Sequence, residues 1–110
     1  MRLHAAVASI ALLTGCTFNT TVDHVDGAPA VPRSDSAVVV ATPPKSAILL
    51  GTVTVRGNAH MIGSACEQEA VSQARQMGAT HVIVRPVDTS ASRGVRCIAD
   101  AYYLGPIVPG

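Results

Sequence analysis

Read only for its apolar and polar positions, the chain changes character near residue 37. From there on, each apolar run has a period. Ala37-Val38-Val39-Val40-Ala41 is a short β-branched run halted by Thr42-Pro43-Pro44. It predicts an edge strand, because proline has no N–H to give to a ladder. Ala47 to Arg56 alternates, with Leu49, Gly51, Val53 and Val55 on one face and Leu50, Thr52, Thr54 and Arg56 on the other. Gly57-Asn58 ends this second strand with turn chemistry. The period then lengthens. Ala70, Ala74 and Met77, with Val71 beside them, form a stripe at helical spacing and predict a helix over Ala65–Met77. Ser64 and Glu67 match a capping box, Glu67 and Glu69 fall in the first turn, and Arg75 lies near the other end. Gly78 takes the position after the helix, where a left-handed residue closes it.

Thr80 to Val87 reads as a third strand and the polar stretch 88–94 as a hairpin connection. Val95 to Leu104 is the last strand. Val95, Cys97, Ala99, Ala101 and Tyr103 face one way, and Arg96, Ile98, Asp100, Tyr102 and Leu104 face the other. The expected fold class is α+β, a small β-β-α-β-β sheet with one helix packed on one face.

Before residue 37 the picture is different. Residues 17–36 are polar, contain Gly27, Pro29 and Pro32, and sustain neither period, so they read as a flexible tether. As a coil, twenty residues reach about 25 Å on average, and at most about 70 Å when extended. His24 lies between Asp23 and Asp26 and reads as a solvated loop residue. Further back, Arg2 precedes an apolar run from Ala5 to Leu13 that only Ser9 interrupts, the layout of a secretory signal. As a helix this run covers roughly 14 Å, about half of a ~30 Å hydrocarbon core, so it is too short for a permanent span.

The run ends in Leu13-Thr14-Gly15-Cys16. This resembles the lipobox of bacterial lipoproteins. The resemblance implies cleavage before Cys16, a thioether from its sulfur to diacylglycerol, and an acylated amine. Two or more chains make such an anchor effectively permanent. By the same resemblance Thr17, which is not Asp, implies the periplasmic face of the outer membrane in a Gram-negative envelope. The chain then divides into a signal peptide (1–15), a lipidated N-terminus and linker (16–36), an α+β domain (37–105) and a tail (106–110).

Removing 15 of 110 residues leaves 95, one small domain at most. A net charge of +1, one Phe, two Tyr and no Trp provide neither the electrostatic nor the stacking surface of a nucleic-acid binder. A core of Val, Ile, Leu and Ala this small needs a staple. Of the three cysteines, lipid uses Cys16, and Cys66 and Cys97 remain as a pair for an oxidising compartment. Closing their loop is worth about 3.7 kcal/mol by chain entropy.

Two other readings of the pair stand beside this one. Cys66 and Cys97 could join His60 or His81, with Met61 near, to hold Zn²⁺ or Cu⁺, although no tight ligand spacing supports it. Cys66 alone could be a thiolate at a helix N-terminus, although no base is paired with it. The stretch from Leu50-Gly51-Thr52-Val53 to Tyr103-Leu104 resembles a family of small envelope lipoproteins that includes the outer-membrane sensor of the Rcs stress system. That family joins a Gly-x-Val strand, a cysteine at the helix, a helix ending near Met-Gly-Ala and a cysteine in the last strand. Its sensor has four domain cysteines, whereas this chain has two. The expectation is an anchored, non-catalytic binding or sensing module with no cofactor. Its partners are the membrane and an envelope protein, met through Thr52, Thr54 and Arg56 with Tyr102 and Leu104.

Overall fold

A computed structural model describes residues 19–57, 63–86 and 94–106. Over these residues the chain forms β1 (Asn19–His24), β2 (Val38–Val39), β3 (Ile48–Gly57), α1 (Gly63–Gln76), β4 (His81–Val84) and β5 (Val95–Tyr103). The strands make one sheet in the order β1-β3-β5-β4-β2. All neighbours are antiparallel except β2 and β4, which run parallel. With α1 packed against β5 and β3, this is an α+β fold with a single helix on a five-stranded mixed sheet.

The core sits between α1 and the middle of the sheet. From β5, Val95, Cys97, Ala99 and Ala101 point toward the helix, in register with Gly57, Val55, Val53 and Gly51 of β3, and Ala101 and Ala99 also with Val82 and Val84 of β4. From α1 come Cys66, Ala70 and Ala74, four residues apart and fully buried. Nearly every facing side chain is small, which lets the helix lie close to the strands. The helix ends on Gly78, whose φ of 100° is open to glycine. The Gly78 N–H donates to the Arg75 carbonyl and the Ala79 N–H to the Ala74 carbonyl, the two bonds of a Schellman closure.

The largest departure from the sequence reading is β1. The tether expected over 17–36 is folded from Asn19 onward. Thr20 and Val22 pair with Val55 and Val53 on the helix side, and Thr21 and Asp23 pair with Thr54 and Thr52 on the open side. The chain then crosses from one sheet edge to the other beneath the end of α1. Along the way Val25 N–H donates to the Leu50 carbonyl and Ser34 N–H to the Arg75 carbonyl, while Arg75 Nη1 donates to the Asp35 carbonyl. Ala28 and Val31 pack on the core. A Cβ on Gly78 would come within 2.8 Å of the Pro32 carbonyl oxygen, so the glycine also makes room for this crossing.

Two smaller corrections follow from local geometry. A register shift between Leu49 and Gly51 inserts Leu50 as an extra residue in β3. Leu50 therefore enters the core and Leu49 pairs with Tyr102 on the open side, the reverse of strict alternation. The helix also begins at Gly63, so Ser64 lies inside it and its first turn contains no acidic residue. The edge strand at 38–39 forms as expected, with Val38 and Val40 donating to the Thr80 and Val82 carbonyls. The third strand is shorter than Thr80–Val87, ending at Val84. The turn at Asn58, the connection from 87 to 93 and the tail beyond Pro106 lie outside the described residues, as does everything before Asn19.

Candidate functional site

The cysteine pair lies where the start of α1 meets the start of β5. Alternation turns Cys97 to the covered face, and the helix period puts Cys66 on the stripe above it. Their sulfurs are bonded, with the Cα atoms 5.9 Å apart and both residues fully buried. The Cys66 sulfur is also 3.6 Å from the Val55 carbonyl oxygen. A bonded, buried sulfur has neither the charge nor the access that a nucleophilic thiolate needs. The pair ties α1 to β5 and, through register, to β3.

The alternative metal set is not brought together by its described members. His81 pairs with Tyr102 on the open face of β4, whereas Cys97 is on the covered face and several residues further along β5. The His81 ring is engaged with Thr80, whose hydroxyl lies 2.9 Å from Nδ1. His60 and Met61 lie outside the described residues. His24 is exposed at the end of β1. Among the described residues no group of three or more His, Cys, Asp or Glu side chains could hold a metal ion.

The face left open by α1 is the other candidate, and Thr52, Thr54, Arg56 and Tyr102 of the residues expected there for docking share it. Thr52, Thr54 and Arg56 are in register with Asp100, Ile98 and Arg96, and Tyr102 follows on the same side of β5. Leu104, exposed just past the strand, donates its N–H to Thr80 Oγ1. At the centre is a contact network that alternation alone does not reveal. Asp100 accepts from Thr52 Oγ1 at 3.0 Å and from Arg85 through Nη2 at 3.1 Å and Nε at 3.3 Å. It links β3, β5 and the end of β4 through one carboxylate. A hairpin that places Val84 opposite Ala99 brings Arg85 diagonal to Asp100. That register was the missing signal, because it depends on where the connection turns.

A shallow groove of about 820 Å³ runs between α1 and the β2 edge, with Ala37, Val39, Val71 and Val84 among its lining residues. Beside it Val38 and Val39 are more than half exposed. Among the described residues no helix is long and apolar enough to cross a membrane.

Compared with known proteins, the chain matches no protein-family model, no curated protein and no solved structure.

Proposed function

We propose that the chain is a lipid-anchored envelope lipoprotein whose domain works by contact, as a binding or sensing module, rather than by catalysis. The observation that carries this reading is the cysteine arithmetic. Leu13-Thr14-Gly15-Cys16 closes a charged start and a short apolar run, and the only other two cysteines in the sequence are bonded to each other. Cys16 is thus left with the one chemistry its flanking residues suit, acylation. A buried disulfide suits an oxidising compartment, which is where a lipoprotein exported through this signal would fold. The open face provides the contact surface. It combines threonines, a half-buried tyrosine and paired charges on a rigid sheet. Sorting to the outer membrane, by way of Thr17, belongs to the same proposal.

Mass spectrometry of the membrane-extracted protein tests the anchor. The N-terminal peptide should begin at Cys16 and carry a diacylglyceryl group, and Cys16→Ser should abolish both the modification and retention in membranes. A Cys16→Ser protein that stays in membranes through an uncleaved N-terminus would defeat the reading. For the partner, photo-cross-linking from Thr54 in the native envelope should trap a discrete protein. Cross-links that scatter without a preferred product would argue against a contact role for that face.

A further inference from the structure

We infer that the β2 edge of the sheet is a self-association surface, and that its occupant is the β2 edge of a second copy of this chain. β2 is last in the strand order, and among the described residues no strand lies beyond it. Val38 and Val40 donate their N–H groups to the Thr80 and Val82 carbonyls, so alternation turns the N–H and C=O groups of Ala37 and Val39 outward. Register with β4 places Val38 on the open face beside His81. Val39 turns to the helix side, where with Ala37 it lines the groove against α1. Val38 is 58% exposed and Val39 56%, the highest values among the exposed large apolar residues described. An edge with free backbone groups and apolar side chains on both faces is a template for another strand.

The two edges of the sheet differ. β1, at the far edge, exposes Asn19, Thr21 and Asp23, polar and charged side chains that discourage pairing. From Ser36 to Pro44 there is no charged residue. What fits such an edge is an uncharged, β-branched strand with its own edge free, and β2 is itself such a strand. Antiparallel pairing about a two-fold axis at Val38 satisfies both copies. Ala37 of each copy exchanges N–H···O bonds with Val39 of the other, which uses every outward group of the two residues. The two Val38 side chains then meet on the open face as a cross-strand pair. In that register Asp35 falls opposite Ala41 of the copy and Lys45 opposite Val31, so no like charges are brought face to face. Pro43 and Pro44 stop the pairing from extending. Because the same edge serves on both copies, the association is isologous and closes as a dimer. Edges this short bury less than the ~1,200 Å² of a standard interface, which makes the dimer reversible.

Cysteine cross-linking of the full chain tests the pairing. Opposed residues of a non-hydrogen-bonded pair have Cα atoms ~4.5 Å apart, within disulfide reach. Val38→Cys, oxidised with copper phenanthroline in whole cells, should give a disulfide-linked homodimer several times more abundant than Thr21→Cys gives from the β1 edge. The unsubstituted chain, run in parallel, sets the background from Cys16. A second arm needs no added cysteine. In sedimentation velocity the purified full chain in detergent should show a monomer–dimer equilibrium that shifts with concentration, and Val38→Lys should remain monomeric over the same range. Val38 is exposed, so lysine there should leave the circular dichroism spectrum unchanged. Self-pairing is overturned by a homodimer no more abundant from Val38→Cys than from Thr21→Cys, or by a bridge from Val38→Cys to a different protein. It is equally overturned by a chain that is monomeric at every concentration, or by a dimer that Val38→Lys leaves intact. None of these outcomes bears on the anchor, whose own test is the modification at Cys16.

Discussion

Along β5, Cys97, Ala99 and Ala101 have no exposed surface, whereas Ile98, Asp100 and Tyr102 between them are half-buried and Arg96 is exposed. One strand thus belongs to two environments with different rules. The covered side is assembled by size. Its side chains are small, they meet equally small ones from α1, and a covalent bond closes one end. The open side is assembled by pairing. Its residues find cross-strand partners, as in the Thr52–Asp100–Arg85 network, and solvent fills what they leave. The comparison teaches that the covered side has little tolerance and the open side much, so substitutions on the two sides should differ in magnitude even at adjacent positions.

Removing the bridge gives the largest expected effect. The Cys66→Ala/Cys97→Ala pair opens a loop of sequence separation 31, and the chain-entropy relation gives a loss of about 3–4 kcal/mol. Urea denaturation followed by circular dichroism should show the midpoint fall by a large share of its value. An unchanged midpoint would mean that the covered side is held by packing alone. Next in size is overpacking. Ala99→Leu adds three carbons where nothing is exposed and should lose about 1–3 kcal/mol, while its neighbour Ile98→Leu on the open side should stay within about 0.5 kcal/mol. Equal losses at the two positions would erase the distinction between the faces. Gly51→Ala extends the same test to β3, where Gly51 is paired with both β1 and β5. A Cβ there would come within 2.7 Å of Met77 Cε and also meet the Asp23 carbonyl, so a loss of about 1–3 kcal/mol is expected.

How much of this was readable beforehand follows the same division. The covered side announced itself because burial imposes a period. Val53 and Val55, Ala70 and Ala74, and Cys97, Ala99 and Ala101 fall at the spacings of a strand and a helix, and Gly78 marked the helix end. Leu50 escaped because a bulge breaks the period it was judged by. β1 escaped for a different reason. An edge strand buries little, and here only Thr20 and Val22 turn inward, so no apolar alternation rises above its polar residues. The crossing at 25–36 contributes only Ala28 and Val31 to the core and is otherwise held through hydrogen bonds to its own backbone N–H and C=O groups, including one from Arg75, and such groups leave no mark in residue type. What identifies such a segment is the sheet edge and helix end it covers, and those exist only after folding. On the open face, residue types and faces were readable, but the Asp100 network was not, because it joins three strands.

That network supplies the smallest and most discriminating test of the open side. Asp100 serves two donors and its side chain is 15% exposed, whereas the Arg85 side chain is 53% exposed and serves one acceptor. The two ends of the ion pair should therefore not be equivalent. Asp100→Ala strips an acceptor from both Thr52 and Arg85 and should lose about 1 kcal/mol. Arg85→Gln leaves Asp100 with Thr52 and with water, and should lose only a few tenths, roughly 0.3–0.5 kcal/mol. The double variant should then lose little more than Asp100→Ala alone, because the arginine has no other role in the network. Raising the salt should shrink the Arg85→Gln effect and leave the Thr52 share of the Asp100 effect in place, since screening weakens an exposed charge pair more than a half-buried hydrogen bond. If Arg85→Gln instead proves as damaging as Asp100→Ala, and insensitive to salt, the open face is held by charge in the way the covered face is held by volume, and the contrast between the two sides of β5 fails.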